Sequence, residues 1–110
     1  MTPSEISRLV NAQIRDQQRL LYRPEFDVEA RLVRPYQSKC ATSLPGVSGE
    51  QVFEIWVVFE EQTGHDSGYV VGYQEGTSLS SFVLAVWNGQ PHRLAYLGHF
   101  QTFVEALGAL

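Results

Sequence analysis

The chain has 110 residues, 44% hydrophobic and 18% charged, with a formal net charge of −4. That length suits one domain over residues 1–110, able to bury its own core without disulfides or metal, and the composition is that of ordinary globular proteins, with nothing that reads as a disordered tail. No run approaches the ~20 apolar residues of a membrane-spanning helix. The single cysteine, Cys40, cannot form an internal disulfide, and the opening MTPSEISRL lacks a basic-then-apolar secretory pattern, so a reducing, cytoplasmic setting is expected. The charge is unevenly spread. Residues 1–40 hold seven basic and five acidic side chains, whereas residues 41–110 hold only Arg93 against seven acids. Compensated basic charge argues against nucleic acid as a partner.

The first element is a helix. Thr2 and Glu5 have capping-box spacing, and Pro3 suits the first helical position, where its absent N–H costs nothing. Ile6, Leu9, Val10, Ile14 and Leu21 recur at helical spacing, and Pro24 stops the helix near Tyr22. A first strand is expected where Phe26, Val28, Ala30 and Leu32 alternate with charged residues. Residues 36–50 (YQSKCATSLPGVSGE) lack periodicity and read as a long loop. A second strand follows in VFEIWVVFEE, with Phe53, Ile55, Val57 and Phe59 on one face. The third is GYVVGYQE, with Tyr69, Val71 and Tyr73 on one face, and the fourth is SFVLAVW. Asn88-Gly89 marks a hairpin turn, because both residues tolerate positive φ, and HRLAYL is the return strand. Thr102 and Glu105 repeat the capping-box spacing before Phe103, Ala106, Leu107 and Leu110, a short closing helix. The expected fold is α+β: N-terminal helix, five-stranded mostly antiparallel sheet, C-terminal helix, with both helices on one face.

The sequence shows no catalytic set. His65-Asp66-Ser67 holds the residue types of a hydrolase triad, but triad members meet from separate segments, and this run reads as a turn between Gly64 and Gly68. Cys40 follows Lys39 in the long loop, without the surroundings of a thiol nucleophile. His65, His92 and His99 lack metal-ligand spacing, and the latter two read as surface residues flanking the last strand. Glu60, Glu61, Asp66 and Glu75 fall at strand ends and turns, where carboxylates are solvated. No Gly-rich phosphate loop is present. Neither a cofactor nor a metal is expected, and the protein reads as a non-enzyme.

The tryptophans carry the functional reading. If Phe53, Ile55, Val57, Phe82 and Leu84 face the helices, then Trp56, Val58, Val83, Ala85 and Trp87 occupy the opposite face, which should be polar in a sheet covered on one side. An exposed apolar face with aromatics is a contact surface, with Trp56, Val58, Val83 and Trp87 as candidate partner-binding residues. The alternative is that the 36–50 loop folds over this face and makes a second core, since a loop of about 15 residues commonly covers or binds something.

The element order resembles that of frataxin. The acidic ridge frataxins carry on their first helix is replaced here by Arg8, Arg15, Arg19 and Arg23, so the likeness implies architecture only. Through EIWVVFEE, GYVVGYQE and LAYLGHFQTFVEAL, residues 52–110 resemble small bacterial immunity proteins, which neutralise a toxin by binding it. That resemblance implies a protein partner, with the acidic half steering a basic toxin. The other readings are a homodimeric secretion-type chaperone or adaptor, and a small-ligand-binding domain with Tyr36, Cys40, Trp56 and Trp87 around a pocket.

Overall fold

The computed structural model describes residues 2–16, 31–42, 51–61, 68–76, 81–87 and 93–109. Their order is α1 (Pro3–Asp16), β1 (Leu32–Thr42), β2 (Gln51–Glu60), β3 (Tyr69–Tyr73), β4 (Phe82–Trp87), β5 (Arg93–Phe100) and α2 (Phe103–Gly108). This is the α+β order expected from the sequence. Both arms of the first capping box form: Thr2 N–H donates to Glu5 Oε1 at 2.9 Å, and Glu5 N–H donates to Thr2 Oγ1 at 3.2 Å. Ile6, Val10 and Ile14 make the buried stripe of α1. At α2, Glu105 N–H donates to Thr102 Oγ1, and the Gln13 side chain of α1 accepts from Phe103 N–H at 2.8 Å. The two helices are thereby joined end to side, and both pack on the same wall of the sheet. No helix among the described residues is long and apolar enough to cross a membrane.

The sheet closes on itself. Strands β1 to β5 pair in sequence as antiparallel neighbours, and β5 returns to β1 as a closed barrel. With an odd number of alternating strands, the first and last run the same way. The closing pair is accordingly parallel, through Lys39↔Arg93, Cys40↔Leu94 and Ala41↔Ala95. Following cross-strand partners from Val52 leads through Ala41, Ala95, Val86 and Tyr69. Glu61 N–H then donates to the Tyr69 carbonyl, so the circuit re-enters the β2 line 61 − 52 = 9 residues further on. So large a stagger requires steeply tilted strands around a narrow interior that side chains fill.

Closure gives the molecule two cores on opposite faces of one sheet. Inside the barrel lie Cys40, Ile55, Val57, Val70, Val83, Ala85, Trp87 and Leu94. Outside, under the helices, Val58, Phe59, Val71, Phe82 and Leu84 pack against Ile6, Val10, Ile14, Phe103 and Leu107. An apolar opposite face therefore needs neither a partner nor a covering loop: it is the barrel lumen.

Three irregularities correct the simple alternation. Val58 is an extra residue between Val57↔Gly72 and Phe59↔Val71. Ile55 and Val57 consequently face the lumen while Phe59 faces the helices, and Phe53, Ile55, Val57 and Phe59 do not share a face. Between Leu32↔Phe59 and Tyr36↔Val57, β1 spends four residues against two of β2. The segment contains Pro35, which has no N–H for the ladder. Leu97 is the extra residue between Leu84↔Gly98 and Ala85↔Tyr96. The expected 36–50 loop is corrected as well, since β1 runs on to Thr42. The polar spacing of YQSKCAT hides a strand whose inward residues are Tyr36, Ser38 and Cys40, opposite Val57, Ile55 and Phe53. The expected strand residues 26–30, the end of the first helix near Tyr22, residues 43–50, His65-Asp66-Ser67, the Asn88-Gly89 turn and His92 lie outside the described residues.

Candidate functional site

The four residues expected to form an aromatic contact surface are separated by the sheet. Trp56 and Val58 lie on the helix-covered wall, whereas Val83 and Trp87 face the lumen. Val58, Val83 and Trp87 are buried and Trp56 is half-buried, so these side chains form no common open face. Tyr36, Cys40 and Trp87 do meet in the lumen, but Trp56 stands on the other side of the sheet. Cys40 is fully buried within β1, and burial pushes its thiol up to about 12, the opposite of activation. Glu60, expected to be solvated, is turned inward by the Val58 bulge beside Val70. It is buried and accepts a hydrogen bond from the Tyr36 hydroxyl. Nearby, Arg31 Nε donates to the Glu61 carbonyl at 3.0 Å.

Exposed apolar character appears elsewhere. The large hydrophobic residues left exposed among the described ones are Leu97 at 50%, Val52 at 48% and Tyr69 at 39%. Val52 and Leu97 belong to one end of the barrel. Val52 pairs with Ala41 and Ala41 with Ala95, two residues before Leu97, so they are about two strand spacings, ~10 Å, apart across the wall. Tyr69 lies towards the opposite end, beside Glu61.

The same end carries a ring cluster that the sequence pattern hides. Residues three apart on a regular strand point to opposite faces, but the Leu97 bulge brings Tyr96 and His99 onto one face. The Tyr96 hydroxyl is 2.7 Å from His99 Nδ1, and His99 Nε2 is 2.7 Å from Gln74 Oε1. Phe53, the third residue of β2, packs edge-on to Tyr96 at 5.8 Å and stacks on His99 at 5.9 Å. His99 is exposed, while Phe53, Tyr96 and Gln74 are half-buried. Gln74 Oε1 can only accept, so Nε2 carries the imidazole hydrogen and Nδ1 accepts from Tyr96.

The Tyr96–His99 pair is not tuned for proton transfer. Burial, and secondarily the charge Cys40 would carry, hold Tyr96 above the ordinary phenol range, and burial holds His99 below the ordinary imidazole range. A raised donor and a weakened base keep the proton on tyrosine, contrary to what an activated nucleophile needs. The cluster offers apolar ring faces and a few fixed polar atoms, with half-exposed Val52 and Leu97 at the same end of the barrel. A half-open cleft between α1 and the sheet, lined by Ser7, Val10, Asn11, Leu32, Val33 and Val58, brings no titratable group together. Sequence reasoning missed Phe53, Tyr96 and Gln74, and read His99 as a flanking surface residue although it lies within β5. The available signal was the Tyr-Leu-Gly-His run, where Gly98 follows a residue that breaks the alternation. Compared with known proteins, the chain matches no family model, no curated protein and no solved structure at a significant level.

Proposed function

We propose that this is a non-enzymatic protein-binding domain whose contact surface is the barrel end bearing Val52, Phe53, Tyr96, Leu97 and His99. The observation that carries the reading is the half exposure of Val52 and Leu97 at the same barrel end as a partly open aromatic cluster, the other large hydrophobic exposed among the described residues, Tyr69, lying towards the opposite end. Apolar anchors with a polar rim are the usual anatomy of a recognition surface. The partner class follows from charge. Residues 41–110 carry seven acids against Arg93, with Glu54 and Glu75 exposed, which favours a basic protein and fast, steered association. The resemblance of residues 52–110 to immunity proteins makes an inhibitor of a bacterial toxin the specific form of this proposal.

The test is binding of a purified candidate toxin to wild type, Leu97→Asp, Val52→Asp and the charge-preserving control Tyr69→Phe towards the opposite end of the barrel, with folding checked by circular dichroism. The expected result is affinity reduced about tenfold or more by the two aspartates, unchanged by the control, and loss of toxin activity on binding wild type. Equal affinity for all four proteins removes the assigned surface. Light scattering tests the homodimer reading: a stable dimer that Leu97→Asp dissociates would make the surface a self-interface.

A further inference from the structure

We infer that Tyr96 and His99 form a proton-operated donor–acceptor switch, which lets the barrel end accept an N–H-bearing basic side chain while His99 is neutral and refuses it once His99 is protonated. The partner rests on the protein-binding proposal above, but the switch belongs to the free protein and can fail separately.

The geometry fixes the neutral state. Gln74 Oε1, 2.7 Å from Nε2, must receive a hydrogen, so the neutral ring has none at Nδ1. The Tyr96 hydroxyl, 2.7 Å from Nδ1, therefore gives its hydrogen inward. Towards solvent its oxygen presents lone pairs only, without a second partner among the described residues. In this state Tyr96 accepts and cannot donate, which suits a lysine, arginine or amide N–H. A proton from solvent can add only at Nδ1. The new N–H then points at the Tyr96 oxygen, and two hydrogens cannot share that line. The hydroxyl hydrogen turns outward, an oxygen lone pair accepts from Nδ1, and the Gln74 bond persists. The number of hydrogen bonds is unchanged while the outward character of Tyr96 inverts from acceptor to donor. The imidazolium also adds positive charge over Phe53, so an approaching cation meets a donor and a like charge together.

Among the described residues His99 is the only histidine, the side chain whose ordinary range reaches into mildly acidic solution. From β1 the inward titratable groups are Cys40, opposite Phe53, whose thiol is held neutral up to about 12, and Tyr36, opposite Val57, whose hydroxyl donates to Glu60. β2 presents Phe53, β4 presents Val83 as register partner of His99, and β5 presents Tyr96. The turn after β3 presents Gln74, followed by exposed Glu75. Burial favours the neutral ring, so the acceptor state is the resting one at neutral pH.

The experiment uses the free, ¹⁵N-labelled protein and arginine amide as the probe. At pH 7.5 the imidazole nitrogen shifts should report hydrogen on Nε2 and a bare Nδ1, with the Tyr96 hydroxyl proton detectable through coupling to Nδ1. Arginine amide should then give saturable shifts of the Tyr96 ring, absent in Tyr96→Phe. At the acid pH where the nitrogen shifts report the His99 cation, that response should be lost. Hydrogen on Nδ1 at pH 7.5, or a probe response unchanged by protonation of His99, overturns the switch. An intact switch in a protein whose toxin affinity ignores Leu97→Asp would instead sink the surface proposed above.

Discussion

At Gly72 the absence of a Cβ is a packing requirement. The residue sits in β3 between Val57 and Val83, facing the lumen. A methyl placed there would lie 2.5 Å from Ile55 Cδ1, 3.1 Å from Cγ1 and 3.2 Å from Cβ. Turning the ethyl end of Ile55 away relieves the first contact but not the last, because Cβ moves only with the backbone. The Gly72→Ala variant is therefore expected to lose about 1–3 kcal/mol of stability, as overpacked cores do. Removing the colliding methyl with Ile55→Val, itself worth about 0.5–1.5 kcal/mol, should make the double variant more stable than the sum of the two losses. Urea unfolding of the four proteins measures this coupling. Strict additivity would show that the strand, not the side chain, accommodates the methyl.

At the scale of the element, bulges decide what the strands present. Leu97 contributes little by its half-exposed side chain, yet its presence in the count sets the phase of everything after it. Leu97→Ala should stay within about 0.5 kcal/mol of wild type, as surface substitutions do. Deletion of Leu97 should abolish cooperative unfolding, because either Leu94 and Tyr96 or His99 must then turn to the opposite wall, a one-residue slip that inverts a strand. Thermal melts by circular dichroism distinguish the two, and a deletion variant melting like wild type would mean the phase is not enforced. The same physics explains what the sequence could reveal. Both helix starts were legible because capping is local: Thr2 and Glu5 form both expected bonds, and Thr102 Oγ1 accepts from Glu105 N–H. The four later strands were legible from their apolar runs. The faces of β3 and β4 were legible as well, with Val71, Tyr73, Phe82 and Leu84 on the helix side, but those of β2 and β5 were not, since the extra residues Val58 and Leu97 shift the period without changing composition. Nor was β1, whose inward positions are Tyr36, Ser38 and Cys40 rather than an aliphatic series. The cluster of Phe53, Gln74, Tyr96 and His99 was hidden for the same reason, as its members meet only after a bulge and a closed circuit of strands.

At the scale of the whole molecule, barrel closure converts an apolar sheet face into an interior and places titratable groups in it, so stability depends on pH in a way that can be signed. Burial raises Cys40 to about 12. Burial, with the Glu60 hydrogen bond next, raises Tyr36, and Tyr96 is raised as well. An unfolded thiol loses its proton near pH 8.5 and an unfolded phenol near pH 10 (both approximate). Above those values the native state binds more protons than the unfolded state. Stability contributed by these groups is thus complete below about pH 8.5 and declines as pH rises towards their folded values. His99 has the opposite sign: its folded value lies below the ordinary one. Its contribution is complete above about pH 6.5 and is lost as pH falls through the folded value. Denaturant midpoints should therefore form a plateau between about pH 6.5 and about pH 8.5, falling on both sides. The thiol separates from the two phenols by variant. Cys40→Ala lowers the whole curve through its cavity, but should flatten the decline that begins near pH 8.5 and leave the one near pH 10 (approximate unfolded values). His99→Gln should flatten the first decline on the acid side. If Cys40→Ala keeps the wild-type slope between those alkaline values, the thiol titrates in the native state, and the closing seam of Lys39–Ala41 with Arg93–Ala95 opens to solvent.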